Sequence, residues 1–119
     1  MKTTRFKLTE NTPFTEPFPV PTPMGENISL TRTALACESK EAKMGIWECT
    51  PGTWKRAVKE AEYSYFIKGR GRFIPDNNKP EIEFKKGDGL YFPENTTGTW
   101  IIEEIVLKSY TIFKPTTNS

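Results

Sequence analysis

Residues 87–100 read GDGLYFPENTTGTW. Gly87 and Gly89 flank Asp88 in a turn, where glycine supplies positive φ without a steric penalty. Leu90-Tyr91-Phe92 is a short apolar strand. Pro93 lacks an N–H and ends ladder pairing. The polar loop Glu94–Thr97 turns the chain back, and Gly98-Thr99-Trp100 opens the next strand. The stretch is therefore read as a β-hairpin onto which the rest of the chain wraps.

Working outward, the same punctuation recurs. Downstream, Trp100–Ile102 and Ile105–Phe113 are expected strands. Upstream lie a short strand marked by Ile82 and Phe84 and a loop over Pro75–Pro80. Glu62–Lys68 alternates, with Tyr63, Tyr65 and Ile67 on one face and Glu62, Ser64, Phe66 and Lys68 on the other. Gly69 punctuates, and Arg70–Ile74 is expected to pair back on that strand. Trp54–Val58, Met44–Cys49 and the β-branched run Ile28–Leu35 complete the series. Nine or ten short strands, stopped by Gly and Pro and without a helix, predict an all-β antiparallel sandwich or barrel. Residues 27–114 form this one domain, with a polar tail at 115–119. Residues 1–26 carry Pro13, Pro17, Pro19, Pro21 and Pro23, which bar a central strand or a helix. They are read as an extended arm anchored by Phe6, Leu8, Phe14, Phe18 and Val20.

Composition narrows the function. The chain has 119 residues and a net charge of +2, too little to imply a nucleic-acid or membrane partner. It has neither an apolar run long enough to span a bilayer nor an N-terminal secretory pattern, so a cytoplasmic location is expected. Cys37 and Cys49 are not spaced for metal. Histidine is absent, which removes Ser-His-Asp triads, Cys-His dyads, His-based metal sites and imidazole acid–base work.

GIWECTPGTW, EYSYFIKG, KKGDGLYFP and GTWIIEEIVLKSY occur in order between Gly45 and Tyr110. They resemble the two motifs of the cupin superfamily. More closely, they resemble small single-domain cupins related to the ureidoglycine aminohydrolase cupin domain and the ethanolamine-utilisation cupins. The resemblance implies a jelly-roll β-barrel with an internal pocket, often in a homodimer. It also implies where a metal would be held. Glu62, Gly69, Gly87 and Pro93 fit the motifs, but the three His positions fall on Lys55, Ala57 and Gly98. One ligand of four remains, so no metal or other cofactor is expected.

The candidate site centres on Glu62, which the motif match turns into the barrel. An interior carboxylate needs a partner, and Lys108 on the closing strand, then Lys55, are the candidates. Glu62 and Lys108 are the expected catalytic or anchoring pair. Trp47, Trp54, Trp100, Lys55 and Tyr110 are the expected ligand-binding residues. Ordinary packing competes for each aromatic residue, and a structural Glu–Lys pair competes with a ligand-binding one. The basic set Lys55, Arg56, Lys59, Lys68, Arg70 and Arg72 is read as a solvated face. Three functions follow. The first is a metal-independent binder of a small polar molecule. The second is an enzyme on a small nitrogenous (ureidoglycine-like) or carbohydrate-like substrate, with Glu62 as general acid or base. The third is an accessory dimeric subunit without a ligand. A homodimer through the arm and a barrel edge is expected in each case.

Overall fold

The computed structural model describes residues 2–115; apart from Pro115, the tail at 115–119 lies outside them. Nine strands and no helix occur among the described residues. β1 (Phe18–Pro19) and β2 (Pro23–Met24) belong to the arm. Then come β3 (Leu30–Glu38), β4 (Ala42–Cys49), β5 (Gly52–Val58), β6 (Glu62–Pro75), β7 (Ile82–Lys85), β8 (Gly89–Phe92) and β9 (Thr96–Phe113). All join one antiparallel sheet, which curls into the jelly-roll barrel.

Two long strands, β6 and β9, carry the barrel. They pair with each other from Glu62–Ile112 to Pro75–Gly98. On its far edge β9 takes β5 and then β4, end to end, and β6 takes β8 and then β7. Both long strands bend where Gly69 meets Ile105. Gly69 adopts φ +89°, and a Cβ there would run into the Ile105 carbonyl. The β6–β9 register slips around this point. A bulge increases local twist and bends the strand, which is what closes a sheet on itself.

This architecture changes three sequence expectations. Arg70–Ile74 does not fold back on Glu62–Lys68, because Gly69 bends the chain without reversing it. The hairpin falls one element later, between Arg70–Phe73 and Ile82–Lys85. Residues 87–100 are not a hairpin either. β8 and β9 pair with opposite edges of β6, and the loop between them arches over its end, where the Asn95 N–H donates to the Lys59 carbonyl. The cause is packing: the Phe92 and Trp100 rings both point inward and meet edge-on at 5.5 Å, across the interior and not along a ladder. Finally, Trp100–Ile102 and Ile105–Phe113 are parts of one strand.

The core gathers around Trp100, which is fully buried. Phe73, Phe84 and Phe66 join Phe92 edge-on to it, at 5.2, 5.4 and 6.5 Å. Such pairs add about 0.5–1.5 kcal/mol each beyond their burial. The arm lies along the sheet, β1 on β3 and β2 on β5. Of its expected anchors Val20 alone is buried; Phe14 sits half-buried under the Arg32 guanidinium, and Phe18 is 72% exposed. The prolines hold each pairing to two residues, so no alternating face is carried along the arm.

Candidate functional site

The barrel interior changes character beside the aromatic core. Lys108, Tyr110 and Ile112 alternate onto the inward face of β9. Pairing sets Trp47 across from Lys108, Gly45 across from Tyr110, Ser64 across from Tyr110 on the other side, and Glu62 across from Ile112. Gly45 leaves room for the Tyr110 hydroxyl, which would lie 2.9 Å from a Cβ at this position. Trp54 and Arg56 come from the inward face of β5. Together these residues and Thr33 line a half-open cavity of about 240 Å³. Larger grooves, such as one of about 630 Å³ beside Tyr91 and Pro93, bring together no buried ionisable side chain.

Glu62 lies on the cavity floor, 4% exposed. Its Oε1 accepts from Arg56 Nη2 at 2.6 Å. Its Oε2 accepts from Lys108 Nζ at 2.8 Å and from Ser64 Oγ at 2.7 Å. The two cations also rest on aromatic faces: Lys108 Nζ lies 4.5 Å from the Trp47 ring centroid, and the Arg56 guanidinium 4.5 Å from that of Phe92. Ring quadrupoles replace part of the hydration these groups lose. Burial pushes the Glu62 carboxyl up, but Lys108, Arg56 and the hydrogen bonds reverse this and hold it below its ordinary value. Burial brings the Lys108 ammonium down to about 8 against the pull of Glu62, and lowers the Arg56 guanidinium. Burial, then Glu62, raise the Tyr110 phenol. At neutral pH the floor thus holds two cations and one carboxylate.

Of the residues expected from sequence, Glu62, Lys108, Trp47, Trp54 and Tyr110 meet at this cavity. Trp100 lies beneath it, sealed in the core. Lys55 is a correction: it points out of the barrel and pairs with Asp76 at 3.4 Å, both side chains nearly half exposed. Alternation explains this, since Trp54 and Arg56 face inward and Lys55 and Ala57 between and after them face out. Arg56 is the residue sequence reasoning missed. It was grouped with the solvated basic face, yet its side chain is only 11% exposed. Its period-two relation to Trp54 was the available signal.

The metal that cupins often carry does not fit these residues. Lys55 and Ala57 face outward, and the inward neighbours of Glu62 on β5 are Arg56 and Val58. A side chain on Gly98 would strike the Phe73 ring. Both Glu62 oxygens already accept from cations, and the described residues contain no cluster of three His, Cys, Asp or Glu side chains suited to a metal.

A curled antiparallel jelly roll with a charged pocket inside it defines a small cupin barrel. Residues 37–110, more than half of the chain, match the family described as the EutQ-like cupin domain. The chain belongs to that family. The fold is similar to that of the Clostridium difficile EutQ protein, at 15% identity and a TM-score of 0.62 over 71% of this chain and 68% of that one. A DUF861 family protein from Thermotoga maritima is 26% identical over 57% of this chain and 76% of its own, with a TM-score of 0.55. A DUF861 family protein of unknown function from Pseudomonas syringae is 21% identical over 85% of this chain and 43% of its own, at 0.69. No curated protein matches the chain.

Proposed function

We propose that this cupin binds a small polar molecule in the cavity above Glu62 without a metal. One observation carries the reading: two buried ionisable groups, Glu62 and Lys108, and the largely buried Arg56 meet at the floor of a cavity walled by Trp47, Trp54 and Tyr110. Burying such groups is costly, and apolar residues of similar volume often stabilise a core at least as well. Their concentration at the cavity, beside an apolar aromatic core, supports a role in recognition. Catalysis by Glu62 finds less support, because a carboxyl held ionised by two cations is a poor general acid, and both its oxygens are occupied.

The test is a nuclear magnetic resonance screen of the full chain against a panel of small polar molecules. Binders are expected to shift the indole N–H signals of Trp47 and Trp54. A panel that moves neither indole returns the protein to the accessory-subunit reading. Elemental analysis is expected to find no stoichiometric transition metal, and about one ion per chain defeats the metal-independent part.

The homodimer is proposed on the arm side, where Phe18, Met24, Ile28 and Leu30 are exposed. Replacing Phe18 and Ile28 with Ser leaves Val20 in the core. Light scattering is then expected to show a dimer for the parent chain and a monomer for the variant; a monomer in both cases removes the proposal.

A further inference from the structure

Taking the cavity as a small-molecule site, we infer that its ligand is a small organic monoanion, a carboxylate, held by Arg56 and Lys108 against the faces of Trp47 and Trp54. Glu62 offsets only one of the two cations it touches. The other titratable groups near the floor, Tyr110 and Cys49, are uncharged at neutral pH, burial holding the phenol above its ordinary value and the thiol at about 11. The site therefore carries one uncompensated positive charge.

Unused hydrogen bonds say the same. Arg56 gives Nη2 to Glu62, while its Nη1 is buried without a partner among the described residues. Leaving a charged donor buried and unpaired is costly. Lys108 has three N–H donors, and one is spent on Glu62. Glu62, by contrast, already accepts three hydrogen bonds, one on Oε1 and two on Oε2. Arg56 and Lys108 line the cavity, and an anionic oxygen drawn onto them would satisfy these donors.

Size and shape narrow the class. A cavity of about 240 Å³ suits a small molecule. The Trp47 and Trp54 rings stand 6.3 Å apart and tilted by 47°, forming an apolar corner for a short carbon body. A single excess charge is matched by a carboxylate. The second charge of a phosphate dianion would be left unbalanced near Glu62, and dihydrogen phosphate, though a monoanion, has no carbon body to set in the indole corner.

The experiment titrates the full chain at pH 7 with butyrate, benzoate and phenylacetate, each beside its neutral amide, and with inorganic phosphate. Tryptophan fluorescence and thermal shift are the readouts. At least one carboxylate is expected to bind tenfold or more tightly than its amide, and more tightly than phosphate. Arg56→Gln should erase the preference and Arg56→Lys retain part of it. Should the variants fail to fold, the carboxylate-to-amide ratio of the unmodified chain decides alone. Amides binding as well as their acids, or phosphate binding best, overturns the carboxylate assignment while leaving a small-molecule site. If none of the seven probes binds, the carboxylate assignment is overturned; if the wider panel also leaves both indoles unmoved, the binding function falls with it.

Discussion

The inside of this barrel has two neighbouring regions built from the same strands. Around Trp100 the rings of Phe66, Phe73, Phe84 and Phe92 fill the space, and the charged floor touches this core where Arg56 and Lys108 come within 5.1 and 5.4 Å of the Trp100 ring centroid. A few residues along, the same sheet presents Arg56, Glu62 and Lys108 to a cavity. The two regions share side chains: Phe92 packs edge-on against Trp100 and also supports the Arg56 guanidinium. The comparison teaches that the aromatic core is the low-dielectric wall against which the charges are set. It positions them and strengthens their mutual attraction. The core contributes stability whatever the pH, whereas the charged floor contributes only while its groups stay ionised and paired.

The sharpest way to break that comparison is at its centre. Trp100→Ala is expected to cost about 3–5 kcal/mol, equally at pH 5 and pH 7, where Lys108 stays charged, as read by denaturant unfolding. A strong pH dependence of that cost would show the core and the charged floor to be one unit. Next comes Glu62→Gln, which leaves two buried cations facing each other and is expected to cost roughly 3 kcal/mol. Adding Lys108→Met should restore part of it, with a coupling of roughly 1–3 kcal/mol. Strict additivity in that double-mutant cycle would remove the pair from the stability of the fold.

Acid should act on one region only. Glu62 is held below its ordinary value of 4.5, so its contribution is complete above that pH. It is lost as pH falls through the depressed folded value. The parent chain should therefore lose more stability than Glu62→Gln below about pH 4.5; parallel acid curves would sink this. Alkali reports on the proposed ligand. Lys108 titrates at about 8 with Glu62, Arg56 and Cys49 around it, so carboxylate binding is expected to weaken several-fold between pH 7 and pH 9, and a flat profile would place the ligand elsewhere. The smallest effect belongs to Lys55→Ala, expected within about 0.5 kcal/mol, because its partner Asp76 is as exposed as it is.

Much of this was legible in the sequence, for a definite reason. Alternation is a local property, so Glu62, Ser64 and Phe66 could be placed on one face from Glu62–Lys68 alone, and the motif resemblance turned that face inward. Lys108 as the partner of Glu62 followed from the resemblance, and the 2.8 Å contact agrees with it. Pairing partners are not local. Two Gly-bearing turns were read as hairpins, yet one is a bend within β6 and the other an arch from one edge of β6 to the other. Arg56 was hidden by a single-residue error. Counting motif positions back from Glu62 assigned the inward face to Lys55 and Ala57, whereas alternation from Trp54 assigns it to Arg56. A long cation in a basic run reads as surface until a buried carboxylate is known to lie 2.6 Å away.

The pairing of β6 with β9 also governs how the chain reaches this state. β9 follows every other strand in sequence, and β4, β5 and β6 all take their places in the sheet through it. Few contacts can form early, so loop closure must be completed before the rewarding ones appear, which is the signature of slow folding. As the polypeptide leaves the ribosome, Glu62 emerges well before Lys108, and until β9 is added the Phe66 and Phe73 rings lack the Trp100 they pack against. A nascent chain halted before Gly98 would expose this apolar face and the unpaired edges of β4, β5 and β6, the conditions under which partly made β-proteins aggregate.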